Sequence, residues 1–153
     1  MSEATGATAP EVLLEVAGQV ATITMNRPDA RNMLTASGMG LLAEHLRAAG
    51  ADPAVRVIVL TGSGNTFCSG ADLRGASAAD AASFTGSGPA ALVEVLTAIM
   101  DNPKPVIARV QGHVAGGGNG LVAAADLSVA AESAKFACSE VRLGLAPAVI
   151  SVV

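Results

Sequence analysis

A chain of 153 residues with 51% hydrophobic content has material for one compact domain and its core. Nine basic against thirteen acidic residues give a formal charge of -4 and a pI of about 5.0, which excludes the basic footprint of a nucleic-acid binder. Cys68 and Cys138 are too few and too far apart for a disulfide scaffold or a metal knuckle, and no apolar run reaches a membrane span despite a mean hydropathy of +0.52.

Neither a metal, a membrane nor a nucleic acid is therefore expected as a partner, and with no signal-peptide pattern at the start the expected compartment is the cytoplasm. There is no Trp or Tyr, and Phe67, Phe84 and Phe136 are the only aromatic residues. The interior must be filled by Ala, Val, Leu and Ile, whose small side chains let backbones approach closely.

Residues 1–10 (MSEATGATAP) read as a disordered lead, and 11–153 as one core. "EVLLEV" and "VATITM" flank "AGQ" as the two strands of a hairpin, and "NRPDARN" closes the second strand with a proline-bearing turn. "LTASGMGLLAEHLRAAGAD" spaces Leu34, Leu41, Leu42 and Leu46 as a helix does, with Thr35 or Ser37 as its cap. "VRVIVLTG" is a nearly continuous apolar strand of the kind buried in a parallel sheet, and "SGNTFCSGADLRG" follows as a glycine-bearing loop. Residues 75–88 are small and polar and predict a mobile surface segment, after which Pro89 opens a helix ending near Asn102. "KPVIARVQG" supplies another strand, and "LSVAAESAKFACSE" holds short apolar segments around a turn at Glu132 to Ala134. No internal repeat is evident, and the chain ends in the apolar "PAVISVV".

Two strand-to-loop junctions, after Leu60 and after Val110, are where an open α/β sheet places its ligands. Neither is a dinucleotide fingerprint, because "GGGNGL" ends on Leu121 and "GSGNTF" on Phe67 where the pattern needs glycine, and neither carries the G-K-[ST] of a phosphate loop. Backbone amides freed of side-chain bulk can instead stabilise a developing oxyanion, with the positive end of a helix beginning near Gly117 adding to them. The same glycines would equally serve close packing of helix and strand, and the residues alone leave both readings open.

"TGSGNTFCSGADL", followed by "VQGHVAGGGNGLVAAADLSVAAESAKFACSEVRLGLAP" and preceded by "NRPDARN", resembles the crotonase superfamily, the enoyl-CoA hydratases and isomerases, from about Val12 to the last residue. The resemblance implies an α/β fold of the ClpP/crotonase kind, a spiral of ββα units, here truncated at the C-terminal side. It implies an acyl-CoA thioester as substrate, with coenzyme A entering as part of that substrate and no separate cofactor, and a homo-trimer or hexamer for a full-length member. Carried over along the motifs, the two amides that hold the thioester oxygen fall on Ser69 and Gly117, and the path of the CoA moiety on Ser69, Gly70, Ala71 and Asp72.

The hydratases of this family bring two glutamates to one water. The first position falls on Gly120, which has no side chain, and the second on Glu140. Hydration of an enoyl-CoA by the oxyanion hole and this single glutamate is the expected function. The alternatives are an enoyl-CoA isomerase, a thioester hydrolase, or a non-catalytic remnant that binds CoA or another subunit. Without the resemblance Glu140 would read as a surface glutamate paired with Arg142 or Lys135.

His45 reads as a solvated helix residue and His113 as structural, though close to the cleft sequence. Ser69 and His113, oriented by Asp72 or Asp126, would suggest a serine hydrolase, but no G-x-S-x-G elbow is present. Cys68 lacks the electropositive context of a reactive thiolate, and Asn119, which cannot titrate, reads as an early-helix residue or a water-positioning group.

Overall fold

A computed structural model describes residues 9–71, 87–138, 140 and 149–150. Residues 1–8 of the expected disordered lead (1–10), residues 75–86 of the expected mobile segment (75–88) and Asp72 lie outside the described residues, while Ser87 and Gly88 at the end of that segment already belong to a helix, ahead of the expected start at Pro89. Strand β1 (Val12–Ala17) turns at Gly18 and Gln19 into β2 (Val20–Met25), and the two pair antiparallel with Ala17 opposite Val20. A short 3-10 turn at Pro28–Ala30 leads to helix α1 (Ala36–Ala51), whose cap is Thr35: its Oγ1 accepts from Gly38 N at 2.9 Å.

The remaining elements repeat one plan. Strand β3 (Val57–Gly62) is followed by a short β4 (Thr66–Cys68) and helix α2 (Ser87–Met100), then β5 (Val106–Val110) by β6 (His113–Ala115) and helix α3 (Gly117–Ala124), then β7 (Leu127–Ala130) by β8 (Phe136–Ala137). The longer strands form one five-stranded sheet in the order β1-β2-β3-β5-β7, parallel from β2 onward, and the short ones a three-stranded parallel sheet β4-β6-β8. Long strand, short strand, helix, repeated with each strand pairing to its counterpart in the next unit, is the ββα spiral that the sequence resemblance implies.

The parallel register stacks apolar side chains in rows. Ala21, Ile58 and Val106 lie side by side, as do Ile23, Leu60 and Ala108, all buried. Leu42, Leu46, Val95, Leu96 and Ile99 of α1 and α2 belong to the same core. In β3 burial alternates, with Val57 and Val59 half-buried, so one face of the sheet carries the core; the continuous apolar run had suggested two buried faces. Strands β4 and β6 fall at the two glycine-bearing junctions and β8 in one of the short apolar segments after the expected turn, each two or three residues long and held by pairing across units. At the sheet edge every residue of β7 is exposed.

Candidate active site

The ends of β4 and β6 come together at the two glycine loops. Gly70 has φ +93° and Gly116 φ +54°, conformations that side chains rarely adopt. A β-carbon on Gly70 would lie 3.2 Å from the Ala115 carbonyl oxygen, 3.3 Å from Gly116 Cα and 3.5 Å from Gly117 N. Glycine is required here by both backbone angle and space, and the two loops touch backbone to backbone.

Gly117 is the first residue of α3, so its N–H has no partner within the helix and carries the positive end of the helix dipole. Ser69 does not supply the matching donor. Its N–H is already given to the Arg31 carbonyl at 3.1 Å, which corrects the assignment carried over along the motif. Ala71, which the motif matching placed on the CoA path only, is held differently. It forms a parallel bridge with Leu34 through the bond from Leu34 N to Gly70 O at 2.8 Å, and such a bridge runs through the neighbours of Ala71, leaving its own N–H directed away from Leu34. The signal in the sequence was Gly70 itself: a glycine at positive φ at a strand end turns the chain, so the released amide follows the glycine.

One turn of α3 separates Gly117 from Gly120, placing both on one face. A β-carbon at Gly117 would press on Leu92 Cδ2 at 3.2 Å and Leu34 Cδ1 at 3.3 Å; one at Gly120 would meet Ile150 Cγ2 at 2.7 Å and Leu96 Cδ2 at 3.4 Å. An apolar wall thus stands at Gly120, the position on which the sequence resemblance placed the first glutamate, and Ile150 fills much of the space a side chain would need. No signal in the sequence pointed to Leu34, Leu92, Leu96 or Ile150.

Glu140 is half-buried, and its Oε1 lies 3.6 Å from a β-carbon position on Gly116. Its Oε2 is buried with no hydrogen-bond partner among the described residues. Lys135 is exposed and makes no ion pair with it among those residues; Arg142, the other partner expected for a surface glutamate, lies outside them. Asn119 ties the first turn of α3 to the strand leading to Glu140, its Nδ2 donating to Ala137 O at 3.0 Å and Gly116 O at 3.3 Å. It is a tether, and its amide nitrogen is not available to position water.

Asp126 Oδ2 accepts from Val106 N–H at 2.8 Å, holding the β5–β7 junction. Cys68 is buried under Gly118, its Sγ accepts from Gly70 N at 3.4 Å, and burial pushes its thiol up to about 12, leaving it protonated. Among the described residues no three His, Cys, Asp or Glu side chains gather where a metal ion could sit, and no helix is long and apolar enough to cross a membrane.

A ββα spiral whose glycine loops meet beside a half-buried carboxylate, one oxygen of which is unpartnered among the described residues, defines an α/β chain of the crotonase class. Residues 15–153 match the family model described as enoyl-CoA hydratase/isomerase, and the chain belongs to that family. It is 36% identical over 147 residues to the enoyl-CoA hydratase EchA19 of Mycobacterium tuberculosis, covering 94% of this chain and 55% of that protein. It is 37% identical over 136 residues to the (E)-benzylidenesuccinyl-CoA hydratase of Thauera aromatica, covering 86% and 51%. The crystal structure of an enoyl-CoA hydratase from Mycobacterium avium superposes with a TM-score of 0.81 at 41% identity, covering 94% of this chain and 56% of that one. The chain spans about half the length of the curated relatives it matches.

Proposed function

We propose that the cleft between Gly70–Ala71 and Gly117 holds the thioester of an enoyl-CoA and that Glu140 directs the addition of water across its double bond. The observation that carries this reading is the placing of Glu140: its Oε1 lies 3.6 Å from a β-carbon position on Gly116, one residue before the helix-terminal amide, and its Oε2 is buried with no hydrogen-bond partner among the described residues. The oxyanion donors are the N–H groups of Ala71 and Gly117, with the CoA moiety passing along Ser69 to Asp72.

Water oxygen attacks the β-carbon while its proton passes to the Glu140 carboxylate. The π electrons of the double bond move onto the thioester oxygen, giving an enolate held by the two amides. The enolate collapses and the α-carbon takes the proton from Glu140, so one molecule of water has been added and the carboxylate is restored. A single glutamate performs both transfers because Gly120 contributes none. One observation also favours a second reading: the apolar wall of Leu96 and Ile150 at Gly120 leaves Glu140 alone with the acyl chain, and a single base that moves a proton between the α- and γ-carbons isomerises the double bond without water.

In a protein of the relatives' length this chemistry belongs to acyl-CoA breakdown, as in fatty-acid metabolism, within a cytoplasmic homo-trimer or hexamer. The test is a titration of the ¹⁵N-labelled chain with a short acyl-CoA. The amides of Ala71 and Gly117 are expected to move downfield together, and Ser69 much less. Movement of neither donor would contradict the reading.

A further inference from the structure

The Thr66 carbonyl receives two side-chain amides from different parts of the chain. Asn32 Nδ2 donates to it at 2.6 Å and Gln111 Nε2 at 2.9 Å. Asn32 is 1% exposed, sits at φ +51° after Arg31 at φ +53°, and uses its whole amide: Nδ2 also reaches Ser63 O at 2.8 Å, and Oδ1 accepts from Arg27 N at 2.9 Å and Ser63 Oγ at 3.4 Å. Gln111 also binds Gly62 O at 2.7 Å and Gly64 O at 3.4 Å, and accepts from Thr61 Oγ1 at 3.3 Å.

Thr66 opens β4, the strand that runs into Gly70 and Ala71, while Gln111 precedes β6, the strand that runs into Gly116 and Gly117. The two strands pair in parallel with Thr66 beside His113. The same segment that Asn32 anchors then grips the far end of the loop, through Ser69 N to Arg31 O at 3.1 Å and Leu34 N to Gly70 O at 2.8 Å. Both amide-bearing strands are therefore fixed from one node, with the buried Phe67 and Cys68 between that node and the cleft.

We propose that Asn32 and Gln111 are positioning residues that set the spacing of the Ala71 and Gly117 amides by clamping the Thr66 carbonyl. The inference rests on the oxyanion reading above. Neither side chain needs to touch substrate; their effect reaches it through the strand backbone.

The test uses an acyl-CoA carrying a ¹³C-labelled thioester carbonyl, whose infrared stretch falls when two donors polarise it, bound to the unaltered chain, to Asn32→Asp and to Gln111→Leu. Each substitution keeps the approximate shape and removes one donor to Thr66; Gln111 is half-buried, which makes its variant the one least in danger of misfolding. Amide exchange at Ser69 reports the clamp without ligand. The expected result is a clear red shift in the unaltered chain, a loss of about half or more of it in each folded variant, faster exchange at Ser69, and a Kd raised by less than roughly threefold, since the CoA contacts are untouched. A full red shift in Gln111→Leu would overturn the positioning role, whether or not Ser69 exchange quickens. Absence of any red shift in the unaltered chain, with Ser69 exchange still responding to the variants, would overturn the oxyanion reading and the clamp's catalytic purpose with it.

Discussion

Cys68 and Cys138 show how far environment separates identical side chains. Cys138 is exposed, whereas Cys68 lies in the core with its thiol pushed from 9.0 up to about 12 by burial. Alkylation near pH 8, read by mass spectrometry, is expected to modify Cys138 and spare Cys68 until the chain unfolds. Between about pH 9 and 12 the unfolded chain gives up the Cys68 proton and the folded chain keeps it, so the folded state binds more protons and stability must fall as pH rises through that window. Urea midpoints that are flat across it would contradict the assignment. The role proposed for Glu140 could be located from the "FACSEVRLG" motif because it rests on a side chain. The one proposed for Ala71 could not, because it rests on a backbone N–H whose direction depends on the turn at Gly70 and the bridge to Leu34.

Helix α1 and the bend between β3 and β4 carry opposite demands on glycine. Gly40 lies in the helix with nothing within 4 Å of a β-carbon, so Gly40→Ala is expected to raise stability by roughly 0.5–1 kcal/mol. At Gly62 a β-carbon would stand 2.4 Å from the Phe67 carbonyl oxygen and 2.6 Å from that of Thr66, so Gly62→Ala must displace backbone at the clamped node and should cost roughly 3 kcal/mol or more. Thermal unfolding of both variants checks the pair, and equal effects would contradict the packing described. The long elements, β1 to β3, α1, α2 and β5, were legible because their apolar spacing follows one period over five or more residues. Strands of two or three residues such as β4, β6 and β8 are too short to show a period, and exist because the neighbouring unit offers a partner.

The molecule as a whole repeats a plan that its sequence does not repeat. Successive units share strand order and pairing but fill their rows with different small apolar residues, so the spiral became legible through family motifs and not through periodicity. At the edge of that spiral Leu127 is 60% exposed, Val129 64% and Phe136 52%. An open strand edge carrying apolar side chains pairs readily with another copy, and the 153-residue chain is expected to self-associate as concentration rises. Light scattering showing monodisperse monomers across a wide concentration range would contradict this.

In the proposed reaction one carboxylate moves the proton while backbone amides hold the charge, and Glu140→Gln separates the two. The substitution preserves shape and removes the titratable group. Steady-state hydration of a short enoyl-CoA is measured beside a binding titration, on matched proteins that include any native continuation past Val153. Turnover is expected to fall by roughly 100-fold or more, with binding changed far less. Undiminished turnover in the variant would contradict it and remove Glu140 from the mechanism.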